Sequence, residues 1–160
     1  MKTIIAIDNG TSGTIAIMKE DNIYFNNVPI FIQQSYTKTK QNISRINTYK
    51  LKEILKNIDN KNCLVLIERP MVNPMRFKAS GSALRALEAV LIVVEELNLS
   101  YQYEDSKSWQ REMLPKNLKK EELKKASLDI GNRLFPQFKD NKHPDRDSLL
   151  MAEYARRKNL

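Results

Sequence analysis

Three carboxylates stand where apolar runs stop or start, and acids in such places can hold metal ions. Asp8 follows Thr3-Ile4-Ile5-Ala6-Ile7, Glu68 follows Cys63-Leu64-Val65-Leu66-Ile67, and Asp147 heads the run Leu149-Leu150-Met151-Ala152. Carboxylates at the ends of neighbouring strands converge on one rim of a sheet, the usual place for a site in an α/β fold. Acids a few ångströms apart repel one another, and hard divalent cations with oxygen ligands supply the missing counter-charge. Two such ions activate a water and stabilise the leaving oxygen during in-line attack on a phosphodiester. Each acid also has a plainer role open to it. Asp8 before Asn9-Gly10 can be a turn former, Glu68 can pair with Arg69, and Asp145 and Asp147 can serve a helix start as cap and dipole partners.

The elements that must position these acids follow from the pattern of the chain. Residues 3–7 and 14–18 are β-branched apolar runs around a glycine turn, and Ile23-Tyr24-Phe25 completes an antiparallel meander. Residues 29–56 hold six basic residues against one acid, so they carry +5 of the net +8. The first half of this segment reads as a mobile basic loop. In its second half Leu51, Ile54, Leu55 and Ile58 keep a helical spacing with lysines outside. The run Cys63 to Ile67 suits a strand covered on both faces. Leu84, Leu87, Leu91 and Val94 predict a helix over 82–97, expected to be the most buried of the molecule. A short strand at 100–103, a short helix at 106–112, a basic amphipathic helix over 118–135 and a last helix from about Pro144 complete the order. Strands first, then strands alternating with helices, predict a mixed five-stranded sheet flanked by helices.

Composition limits the classes of function. The chain has 160 residues, 27 Lys plus Arg against 19 Asp plus Glu, 41% hydrophobic and 29% charged residues. These values fit one soluble globular domain over 1–160 and exclude a disordered polyelectrolyte. The longest apolar stretch, residues 89–94, falls far short of the ~20 residues a bilayer span needs. The N-terminal run breaks at Asp8, too early for a signal peptide, so the protein is expected to stay where it is made. A single cysteine, Cys63, excludes an internal disulfide and reads as a core residue. The excess of positive charge points to a polyanion as partner.

Five segments taken in order resemble a known family. They are Ile5-Ala6-Ile7-Asp8-Asn9-Gly10-Thr11-Ser12-Gly13, Leu66-Ile67-Glu68-Arg69-Pro70, Ser108-Trp109-Gln110, Leu134-Phe135-Pro136, and His143-Pro144-Asp145-Arg146-Asp147-Ser148-Leu149-Leu150-Met151-Ala152. Together they are similar to the RuvC-type Holliday junction resolvases, closest to the bacteriophage branch. The resemblance implies a ribonuclease-H-like fold and a homodimer that nicks four-way junctions, and other branched DNA, symmetrically. It places the protein in the cytoplasm of a bacterial or phage-infected cell. It also implies that Asp8, Glu68 and Asp147 bind two Mg²⁺ ions, with Mn²⁺ able to substitute. The family's fourth ligand lies three residues before the last aspartate, and here that position is Pro144, a departure from the pattern. Asp145 is favoured in its place, with His143 second. On a regular helix Asp145 and Asp147 would stand about 200° apart, so both can serve only if the helix starts between or near them.

For DNA, Arg69, Arg76, Lys78 and Arg85 can hold phosphates, and Phe77 can stack on an unpaired base. Lys107 and one of Lys119 or Lys120 are expected on the active-site side, since resolvases of this kind carry lysines in that stretch. Trp109 reads as an anchor of its short helix to the core. Two rivals share some of these features: an actin-like or sugar-kinase-like ATPase built on the Asp8 glycine turn, and a non-catalytic protein that binds branched DNA.

Overall fold

A computed structural model describes residues 2–160. β1 (Thr3–Ile7) is buried along its whole length, as an unbroken apolar run with β-branched residues requires of a central strand. β2 (Thr14–Lys19) runs antiparallel to it, and β3 (Asn22–Asn27) extends the meander. On the other side β6 (Cys63–Glu68) lies parallel to β1, and β7 (Tyr101–Glu104) parallel to β6, giving the order β3-β2-β1-β6-β7. This is the mixed five-stranded sheet with helices on both faces that the sequence predicts.

Strand alternation divides the core in two. Ile4 and Ala6 of β1 and Leu64 and Leu66 of β6 face a cluster with Trp109, Phe135 and residues 149–152. Ile5, Ile7, Val65 and Ile67 face Leu51, Leu55, Val90, Val93 and Val94 on the opposite side. The helices are α1 (Thr48–Leu55), α2 (Phe77–Glu96), α3 (Ser106–Met113), α4 (Lys120–Leu134) and α5 (Asp147–Lys158). No helix among the described residues is long and apolar enough to cross a membrane.

Three expectations are corrected. The basic segment is not a loop: β4 (Ile30–Gln34) and β5 (Asn42–Ile46) pair as a separate hairpin, with Ile30 opposite Ile46 and Gln34 opposite Asn42. The polar turn between them hid two short strands. The most buried helix is α5, where Ser148 to Glu153 and Ala155 are all buried. In α2 the inward stripe is Ala86, Val90, Val93 and Val94, while Leu84 (46% exposed) and Ile92 (53%) face outward. Small and β-branched residues fill the inward stripe here, Leu87 and Leu91 pack at its edge, and Leu84 alone of the predicted stripe is exposed. Finally, the last helix starts at Asp147 and not at Pro144, which leaves Asp145 outside it.

Candidate metal centre

The last register pair of β1 and β6 is Ile7 opposite Ile67, so Asp8 and Glu68 are the next residue of each strand. Both have the parity of Ala6 and Leu66, which places them on the face covered by α5. Asp8 is held by a turn that requires glycine twice. Its N–H donates to the Thr14 carbonyl at 3.0 Å, and Gly13 N–H donates to the Gly10 carbonyl at 3.2 Å. Gly10 has φ +140°, and a Cβ on Gly13 would fall 2.0 Å from the Asp8 carbonyl oxygen. Asn9 Nδ2 ties the same turn to the Ala83 carbonyl of α2 at 3.2 Å.

Glu68 accepts a hydrogen bond from the indole N–H of Trp109 at 3.2 Å. Trp109 is fully buried, so it is the core anchor the sequence suggests and also orients a carboxylate. Asp147 opens α5, where it accepts from the Ser127 hydroxyl of α4. Asp145, buried in the loop before α5, accepts from the Asp147 N–H at 3.3 Å. One carboxylate oxygen from each of Asp8, Asp145 and Asp147 lies within 4.8 Å of the others. Because α5 begins after Asp145, the angular restriction of a regular helix does not apply to this pair.

Crowding of these acids shows in their proton affinities. Burial raises the Asp8 carboxyl well above its ordinary value, and the nearby charges of Glu68, Asp147 and Asp145 raise it further. Asp147 is pushed up to about 7, chiefly by burial and then by Asp145, while the Ser127 hydrogen bond and the charge of Lys124 pull the other way. Lys124, a residue the sequence reading passed over in favour of Lys119 and Lys120, is exposed like them, but its charge reaches Asp147. The available signal was spacing, since Lys124 and Ser127 stand at i and i+3 on one face of α4.

His143 sits beside this cluster. Its Nε2 is 2.9 Å from the Ser12 carbonyl oxygen and therefore donates there; its Nδ1 is then free to accept from the Asp145 N–H at 3.3 Å. Nδ1 also lies 3.3 Å from Asp145 Oδ1, so the ring joins the Asp145 loop to the turn after Asp8.

A cleft of about 400 Å³ opens over Glu68 and Asp147, with Asn9, Arg69, Arg76 and Gln110 among its lining residues. Arg69 pairs with Asp105 at 2.9 Å and lies over the Tyr103 ring. Phe77 is 82% exposed at the start of α2, next to exposed Lys78. Arg85 donates to the Tyr36 hydroxyl at 3.1 Å and lines a separate groove between α2 and the hairpin. Lys107 is exposed in the first turn of α3.

No protein-family model and no curated protein matches the sequence. The fold does have solved counterparts. A structure of T. thermophilus RuvC in complex with a Holliday junction substrate superposes with a TM-score of 0.61 at 10% identity, covering 99% of this chain and 96% of that one. A second Thermus thermophilus RuvC structure gives 0.55 at 13% identity, over 98% and 96% of the two chains. At such identities the likeness establishes a RuvC-like, ribonuclease-H-like fold.

Proposed function

We propose that this chain is a metal-dependent endonuclease of branched DNA, with four-way junctions as its foremost substrate and a homodimer as its working form. The observation that carries this reading is the convergence of Asp8, Asp145 and Asp147 within 4.8 Å, with Glu68 outside that group but close enough to Asp8 to raise its proton affinity, next to a cleft lined by Arg69 and Arg76. The resemblance of the five sequence segments to RuvC-type resolvases, and the RuvC-like fold, support it.

The donor set fits Mg²⁺ or Mn²⁺: every donor is a carboxylate oxygen, and the raised proton affinities of Asp8 and Asp147 mark a cluster short of positive charge. Asp8, Glu68, Asp145 and Asp147 would hold two ions, which when bound supply an activated water and stabilise the leaving oxygen. Asp145 is preferred to His143 as the fourth ligand because its oxygen stands with those of Asp8 and Asp147, whereas the imidazole is engaged with the Ser12 carbonyl and with Asp145 itself. Trp109 and Ser127 orient Glu68 and Asp147. Arg69 and Arg76 hold phosphates in the cleft, Arg85 does so from the neighbouring groove, Lys78, Lys107, Lys119, Lys120 and Lys124 extend the contact over the surface, and Phe77 stacks on a base unpaired at the branch point. Paired nicks require two sites facing two strands, and the outward Leu84 and Ile92 of α2 offer apolar surface for pairing two copies.

The test is a cleavage assay on four-way, three-way and linear DNA with and without Mg²⁺. Wild-type protein should cut the four-way substrate, while D8N and E68Q should bind it without cutting. Protein that binds junctions but never cuts them in Mg²⁺ or Mn²⁺ would be a non-catalytic binder, and one that hydrolyses ATP instead would belong with the kinase-like proteins. Sedimentation with DNA present should give a dimer.

A further inference from the structure

Arg146 separates the two acids of the last segment, Asp145 and Asp147, yet its side chain is fully buried. A guanidinium has five N–H groups, and all five are used here. Nη1 donates to the carbonyls of His143 at 2.9 Å and Asp145 at 2.8 Å. Nη2 donates to those of Phe138 at 3.1 Å and Asn141 at 2.9 Å, and Nε to Asn132 Oδ1 at 3.0 Å. The Phe25 ring covers the guanidinium, with its centroid 5.4 Å from Cζ. The loop from 139 to 146 has no helix or strand of its own; beyond short turns and the His143 contact to Ser12, its order comes from these bonds.

Two further contacts show that the chain is fitted around this side chain. Gly131 lies inside α4, where glycine is a poorer helix former than alanine. A Cβ there would fall 2.3 Å from Arg146 Cβ and 2.5 Å from its Cγ, so the glycine clears a passage for the arginine stem. The Arg146 N–H also donates to Ser127 Oγ at 3.1 Å, the same hydroxyl that bonds Asp147. The side chain therefore fixes the carbonyl of Asp145, and the main chain fixes the hydroxyl that orients Asp147.

We propose that Arg146 is the positioning residue of the metal centre: by gathering the carbonyls of Phe138, Asn141, His143 and Asp145 it sets Asp145 against Asp8 and Asp147, and it does so without touching metal or DNA. This rests on the nuclease reading above. Lysine keeps the charge but has three donors on a single nitrogen, so it cannot span these carbonyls. The test is Mn²⁺ binding to the metal-free full-length chain, followed by electron paramagnetic resonance, for wild type, D8N, R146K and N132A. Melting curves and junction binding in EDTA are measured alongside. R146K should melt cooperatively and bind junctions like wild type, bind Mn²⁺ at least ~10-fold more weakly, and recover cleavage as Mn²⁺ is raised. N132A, which removes only the Nε partner, should shift Mn²⁺ affinity in the same direction by a smaller factor. If R146K fails to fold, N132A decides. Wild-type Mn²⁺ affinity in folded R146K, or in N132A where it decides, overturns the proposal alone. So does a loss of Mn²⁺ affinity matched by loss of junction binding in EDTA, since that is a general structural effect. A wild-type chain with no Mn²⁺ site sensitive to D8N overturns the nuclease reading as well.

Discussion

The indole N–H of Trp109 donates to Glu68 Oε1 at 3.2 Å, so the most buried aromatic residue of the sheet's α5 face also sets the direction of a carboxylate at its rim. W109F keeps most of the ring's packing and deletes that donor. Cleavage should fall by roughly 10- to 100-fold at fixed Mg²⁺, the usual cost of removing a group that orients a metal ligand. Junction binding in EDTA should stay near wild type. Equal cleavage rates for W109F and wild type across a Mg²⁺ titration would reduce Trp109 to a packing residue.

Proton linkage gives the second expectation. Asp147 titrates near 3.8 in an unfolded chain and about 7 in the folded one. The folded state thus holds this proton more tightly, so the linked stability is complete below about 3.8 and is lost as pH rises through about 7. Asp8 is displaced in the same direction. Metal-free protein should therefore melt at falling temperature between pH 4 and 8. D147N should show a shallower fall over the same range, and saturating Mg²⁺ should restore the wild type at pH 8. Parallel melting curves for D147N and wild type across this range would count against the crowded-acid description.

Asp8 and Glu68 were legible in the sequence because an apolar run fixes strand position and parallel pairing carries the next residue of each strand to one rim. Asp147 was legible as the acid that opens an apolar helix. Arg146 was not: between two aspartates it reads as an exposed partner, and its burial depends on a loop folding back over it and on clearance at Gly131 in another helix. Lys124 was missed because its one sequence signal, the i, i+3 spacing to Ser127, acquires meaning only once Ser127 is known to be buried against Asp147. The β4–β5 hairpin was missed because a polar connection longer than a tight turn carries no hairpin signature, although Ile30 and Ile46 end up paired.

Gly131 gives a prediction opposed to intrinsic preference. Alanine is the better helix former by about 1 kcal/mol, so G131A on an open helix face would stabilise the protein. Here the new methyl would meet the Arg146 stem at 2.3 Å, and overpacking of this kind costs about 1–3 kcal/mol. G131A should lower the urea midpoint without changing the slope of the transition. A raised midpoint would mean that the arginine moves aside freely.

Lys124 supplies the last test, because its charge lowers the proton affinity of Asp147. Metal must compete with protons for that carboxylate, so the acid limb of the cleavage rate reflects the carboxylate's protonation. Removing the lysine in K124A raises the Asp147 pKa, and at subsaturating Mg²⁺ the acid limb should move to higher pH. Saturating Mg²⁺ should shrink the displacement, since the ion then outcompetes the proton. K120A, one helical turn back on α4, should weaken junction binding slightly and leave the limb in place. A K124A profile that matches wild type at low Mg²⁺ while its DNA affinity falls would make Lys124 a phosphate contact with no influence on Asp147.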